Sequence, residues 1–428
     1  VGKSKPVGAT RASPPPTTDT LRLTALLADF RLLLILFVGL RLTLLLVYQP
    51  LLVNDIERGM TAGGDFNTYY SLSSLTPRVG PPYSGWWSEF PPVWPLLSSG
   101  LYAMSRGSYM AFAMLTGIVM ISFDAGNLIL IRKIAGKLYG ENTAMSLAWV
   151  YALLPAPLVL VWWTFEPMVA FWLLLGLWWL LARRDVPSAV AGAVGALTKF
   201  TPALLLAAAW RFRDVRGAVR YTLILVGIFV LAYLPLLAGN AAMTLPSLTA
   251  QFNKASYETV WALVDGNYRT GNFGPLEDRL DPANANAMLG NPARIPGWLR
   301  FGVAAAVGLF VFVRARRLDN KGLVAFTTIA LLIFFLQAQG WSPQWLAQIV
   351  PLLLLCFPSR NGIFVVLMLN LLVFAEYPFL FIRTGDTGGA VTGALVMPFA
   401  LLVLARTALL AGACVALYRI LRQEPVPA

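Results

Sequence analysis

Beyond residue 31 the chain alternates long apolar runs with short polar connections, the pattern of a polytopic membrane protein and not of a single soluble core. Runs long enough, or nearly so, to cross a bilayer lie at 32–52, 108–131, 143–161, 165–182, 221–238, 297–313, 323–337, 345–357, 363–379 and 391–418. A further run is interrupted. In VPSAVAGAVGALTKFTPALLLAAAWRFRD the polar residues Thr198, Lys199 and Thr201 precede Pro202, which suits the first turn of a new helix and disfavours helix at Thr201. This predicts two half-length helices, 188–197 and 202–210, meeting inside the membrane where protein or a cavity covers the freed backbone. With both halves counted, the expectation is an all-α bundle of about twelve transmembrane or half-membrane helices.

Residues 1–30, rich in Pro, Ser, Thr and basic side chains and without an apolar period, predict a disordered cytoplasmic tail before a single transmembrane domain over 31–428. The first apolar run has no small-residue cleavage site behind it and is long for a signal peptide, so it is expected to stay as a helix. Two long connections remain, 53–107 and 239–296, each well beyond the usual 4 to 6 or so residues, and loops of that length are commonly functional. No internal repeat is visible.

Charge orients the bundle. With both termini inside, RKIAGK, ARRD, RFRDVRGAVR, RARRLDNK and RILR fall on the cytoplasmic side, which then carries about 21 of the 33 basic residues and about 7 of the 20 acidic ones. Both long loops face outward. The net charge of +13 is thereby explained by membrane orientation, and no nucleic-acid partner is expected. Composition also narrows the chemistry: 58% of the 428 residues are hydrophobic and none is histidine, so the usual general base, the usual zinc ligand and a Ser-His-Asp triad are excluded. Cys356 and Cys414 both lie in apolar runs and read as small apolar filler. The acidic group Glu277, Asp278 and Asp281 lacks the alternating spacing of a calcium loop.

The first outward loop contains GGDFNTYYSLSSL, in which Asp65 stands behind two glycines and ahead of Phe66, Tyr69, Tyr70 and Leu72 on one face of a short helix. Farther along, EFPPVWPLLSSGLYAM offers a second interfacial helix started by Pro91 and Pro92, with Trp94, Leu97 and Leu101 turned to lipid or protein. Asp65 has two compatible readings: an N-cap for the following turn, or a carboxylate at the edge of a membrane cavity whose burial raises its pKa toward that of a useful base. Lys199, at the start of the second half-helix, is placed to meet a phosphate, or else pairs with Asp124 and Arg41 to hold the bundle together. Lys254, Arg269 and Arg279 in the second loop are further phosphate candidates. That loop also mixes Tyr257, Trp261 and Tyr268 with glycines, which suits a lid that stacks on a sugar, or an ordered surface cap. In QAQGWSPQW, Gln339, Trp341 and Gln344 fall where a span meets the outer surface and are candidates for an acceptor groove, with Trp341 alternatively an interface anchor.

GGDFNTYYSLSSL followed by GWWSEFPPVWPLL resembles the opening of the polyprenyl-phosphate-mannose-dependent glycosyltransferases of the GT-C superfamily, especially glycosyltransferase family 87. SFDAGNLILIRK, GALTKFTPALLL and QGWSPQWLAQIVPLLLL extend the resemblance, in order, over most of the chain. It implies a transferase with its active site on the extracytoplasmic face of the cell membrane, a polyprenyl-phosphate sugar as donor, a glycolipid or glycan acceptor, and Asp65 as catalytic base. Asp55 in VNDIERG is the substitute base. The superfamily's metal-dependent oligosaccharyltransferases carry further acidic motifs in this region that the chain lacks, so neither metal nor other cofactor is expected.

A departing polyprenyl phosphate, with a last pKa near about 6, needs little acid assistance, so one base suffices and configuration inverts. A retaining reaction wants a second carboxylate about 5 to 5.5 Å from the first, a role open to Glu89 or Asp55. The rival function is a transporter or lipid flippase, which also needs a cavity, broken helices and intramembrane charge.

Overall fold

The computed structural model describes Gly2 and residues 23–54, 56–271 and 273–424. The tail expected over 1–30 lies mostly outside these residues, and its last part is helical: Leu23–Ala28 forms a short helix, and Asp29 caps the next by accepting from Arg31 N and Leu32 N.

The protein is a helical membrane bundle. Among the described residues seven helices are long and apolar enough to cross a membrane: Phe30–Val47, Tyr109–Tyr139, Val215–Thr244, Gly297–Arg314, Asn320–Gln337, Arg360–Thr384 and Gly393–Arg422. Glu166–Leu181 and Pro343–Cys356 are shorter apolar helices buried among them. Apolar side chains that a water-soluble protein would hide, such as Leu223, Leu231, Phe310 and Val313, are exposed on the outer helices, as a lipid-facing surface requires.

The interrupted run folds largely as its residues dictate. Helix Asp185–Thr198 ends with Lys199 in an extended conformation, a 3-10 turn covers Thr201–Leu204, and helix Leu205–Phe212 follows. The two halves fold back closely at Gly195, where an added Cβ would lie 2.6 Å from Pro202 Cβ. Arg213 Nε donates to Asp185 Oδ1 at 2.7 Å and ties their far ends.

Several elements differ from expectation, among them helix Tyr109–Tyr139, which runs past the expected end at 131. The run at 143–161 is two helices, Glu141–Leu153 and Pro155–Leu160, because Pro155 restricts Leu154 to an extended backbone. Helix Val215–Thr244 continues past 238 into the expected second loop, with non-helical backbone at Asn240. The first outward connection opens with a small antiparallel hairpin, Leu51–Val53 on Ile56–Arg58, a strand pair that the helical reading omitted. Both segments expected to be interfacial are helical, as Phe66–Ser73 and Val93–Met104, with Phe66, Tyr69, Trp94 and Leu101 buried.

Candidate active site

Asp65 precedes helix Phe66–Ser73, but its backbone is α-helical and its side chain makes no capping bond, so the N-cap reading is not met. Its two glycines serve different ends. Gly63 takes φ +84°, a left-handed turn that other residues rarely adopt, while a Cβ on Gly64 would lie 2.7 Å from the backbone of Trp163. That close approach lets Asp65 N donate to Trp163 O at 2.7 Å, locking the loop against the bundle. The carboxylate then faces a cavity of about 620 Å³ whose wall also includes Tyr69, Glu89, Glu166, Lys199, Lys254, Arg300 and Gln344.

Two neutral donors hold the carboxylate. Tyr69 hydroxyl and Gln344 Nε2 donate to Oδ2 at 3.0 and 3.1 Å, and among the described residues no such bond reaches Oδ1. Tyr69 is fixed in turn by Trp94, edge-on at 4.8 Å, and Trp94 stacks on Phe165 at 4.8 Å. Burial is the largest influence on Asp65 and pushes its pKa up to about 6, against the Tyr69 hydrogen bond and Lys199, which pull it down. This places on the cavity wall a carboxylate whose burial favours its protonated form and whose second oxygen is available.

The cavity's other charges come mainly in matched pairs. Lys199 Nζ binds Glu166 Oε1, and Glu166 Oε2 accepts from Gln348 Nε2 at 2.6 Å. Gln348 Oε1 in turn accepts from Thr201 Oγ1 at 2.7 Å, so both sides of the helix break join one polar network. Lys254 Nζ binds Glu89 Oε2, with Arg279 Nη2 3.7 Å from the same oxygen. Burial alone would raise the Glu89 pKa, but Lys254 and Arg279 outweigh it and hold the carboxyl below its ordinary range. Glu89 is therefore engaged as a counter-ion, which disfavours it as the second carboxylate of a retaining reaction.

The structure brings Asp65, Tyr69, Glu89, Lys199, Lys254, Tyr257, Gln339 and Gln344 to one cavity and places Tyr70, Tyr268, Arg269 and Trp341 away from it. Tyr70 donates to Gly107 O at 2.5 Å and packs with Tyr102 and Tyr109. Tyr268 packs on Phe399, and Arg269 Nη2 reaches Gly388 O at 3.2 Å. Trp341 is buried beneath Arg406, 4.3 Å from ring centroid to guanidinium carbon, so it is neither groove wall nor interface anchor. Asp55 lies outside the described residues. Lys199 does not join Arg41 and Asp124, which pair with each other at 3.1 Å in the sealed interior. Tyr257 lines the cavity and is pinned by a backbone exchange with Gln339 and Trp341, which gives the second loop the character of an ordered cap. Glu166, Gln348 and Arg300 were missed. Glu166 was legible as an acid placed before Pro167 inside an apolar run, a charge in need of a partner.

No protein-family model matches the chain, and no curated protein matches it. Among solved structures it is similar to the Archaeoglobus fulgidus oligosaccharyltransferase in its apo form, at 12% identity and TM-score 0.40 over 92% of this chain and 56% of that one. It is also similar to the archaeal oligosaccharyltransferase AglB from Archaeoglobus fulgidus in complex with an inhibitory peptide and a dolichol-phosphate, at 13% identity and TM-score 0.36 over the same shares. The chain thus spans little more than half the length of these structures, and overlap of this extent assigns it neither fold nor activity.

Proposed function

We propose that the protein is a membrane glycosyltransferase that moves a hexose, mannose by the motif resemblance, from a polyprenyl phosphate to a lipid-linked or cell-envelope glycan on the extracytoplasmic face. The observation that carries this reading is Asp65: a half-buried carboxylate on the wall of a cavity with many apolar side chains, held through one oxygen by Tyr69 and Gln344. In the step envisaged, an acceptor hydroxyl oxygen attacks the anomeric carbon, its proton passes to Asp65 Oδ1, and the bond from that carbon to the phosphate oxygen breaks. The electron pair leaves with the polyprenyl phosphate. Attack opposite the leaving group inverts configuration, so a β-linked donor gives an α-linked product.

The supporting test supplies purified protein with radiolabelled polyprenyl-phosphate mannose and a lipid extract, with Asp65→Asn as control. Labelled glycan from the wild type and a loss of at least about 100-fold in the variant, the ordinary scale of a general base, is the expected result. Equal product from both removes Asp65 from the chemistry, and movement of substrate without a new glycosidic bond replaces the transferase by a transporter.

A further inference from the structure

Three cationic side chains line the cavity, and they are not equivalent. Lys199 is matched by Glu166 and Lys254 by Glu89. Arg300 is only 6% exposed, and its Nη2 donates to Gln339 Oε1 at 3.1 Å, but among the described residues Nε and Nη1 meet no acceptor. Gln339 is itself fixed by Nε2 donating to Gln251 O at 2.7 Å, so the guanidinium is held in place with donors unspent. A buried guanidinium cannot shed its proton, and leaving its donors unpaired is costly, so the site is built for an anion.

A second observation points the same way. Arg300 lies in the first turn of the 18-residue helix Gly297–Arg314, whose start has no side-chain cap and presents the positive end of its dipole, the Leu299 and Arg300 amides being bonded to Pro296 O. Gly297, Arg300, Lys254 and Gln339 also border a second pocket of about 320 Å³ that adjoins the first and has no carboxylate in its wall. On the same helix Trp298 and Phe301 line the main cavity and yet are 76% and 57% exposed, so here the cavity wall is also the outer apolar surface of the bundle.

We infer that the first turn of helix Gly297–Arg314, with Arg300, holds the phosphate of a lipid-linked substrate whose chain lies along Trp298 and Phe301 toward the bilayer. This assigns the anion to a residue other than Lys199, whose charge is already neutralised by Glu166. It rests on the donor class proposed above, but it is tested by binding, without turnover.

The full-length protein in neutral detergent is titrated with sugar-free polyprenyl phosphate, with the uncharged polyprenol, and with inorganic phosphate, following intrinsic tryptophan fluorescence or heat. The wild type should bind polyprenyl phosphate at least about 10-fold more tightly than polyprenol, and Arg300→Gln should remove that preference by weakening only the phosphate-bearing ligand about 10- to 100-fold. Wild-type affinity in Arg300→Gln overturns the inference. If that variant does not fold, the wild type decides alone: no preference for the phosphate over the alcohol overturns it. Inorganic phosphate binding as tightly as the lipid phosphate removes the lipid from the assignment, and full displacement by phosphatidylglycerol micelles transfers the site to a phospholipid headgroup. Arg300-dependent binding in a protein that forms no glycosidic bond would retain the anion site and discard the transferase.

Discussion

Asp65 and Asp124 each accept a tyrosine hydroxyl, but one faces a cavity and the other is sealed inside the bundle. Asp124 takes Tyr151 on Oδ1 at 2.5 Å and Arg41 on Oδ2 at 3.1 Å, with the pair's side chains 0% and 2% exposed. Every oxygen is spent on the protein. Asp65 takes both of its donors on Oδ2, neither of them a cation, and keeps Oδ1 for the cavity. The difference teaches that charge within a membrane bundle does not by itself mark chemistry. An unsatisfied atom facing an open space does so more sharply.

The contrast is tested most severely by neutralising each aspartate. Asp65→Asn should lower the transfer rate by about 100- to 10,000-fold while leaving thermal stability unchanged or higher. The sign follows from the pKa: native Asp65 near about 6 holds its proton more tightly than the ordinary 3.8, so its contribution to stability is present below 3.8 and is lost as pH rises toward 6. Removing the charge at neutral pH therefore relieves a cost. Arg41→Leu should do the reverse, destabilising by about 3 to 5 kcal/mol through the stranded Asp124 carboxylate, with near-normal turnover per folded molecule. Joint Arg41→Leu and Asp124→Leu substitution should recover much of that loss, measured as melting temperature in detergent.

A smaller effect is expected at Gln344. Gln344→Leu removes a hydrogen bond that favours the ionised carboxylate, so the rate should fall by about 10-fold and the acidic limb of the pH profile should move upward. Smallest of all, Arg269→Ala should change turnover by less than about 2-fold, because its Nη2 bonds Gly388 O and its side chain does not line the cavity.

Much of this site was legible in the chain, and unevenly so. GGDF announced a bend and a carboxylate, and Thr198 to Pro202 announced the helix break, because glycine and proline act locally on the backbone. Gln344, 279 residues from Asp65, was named only as a groove residue, since long-range pairing leaves no local pattern. That Tyr268 and Arg269 turn away from the cavity was not legible for a related reason: an irregular loop has no period from which side-chain direction follows. Arg300 escaped notice because an arginine beside Trp298 at a helix start looks like an ordinary interface residue. Only the three-dimensional wall shows that its neighbouring cations are already paired.

The pH dependence of kcat/KM for sugar transfer, measured from pH 4.5 to 8.5 in the wild type and in Asp65→Asn, tests the assignment of the base most directly. The wild type should climb about tenfold per pH unit to a plateau beginning near 6, and the residual rate of the variant should lack that limb. The same limb in both proteins, or a wild-type profile flat through this range, would contradict it.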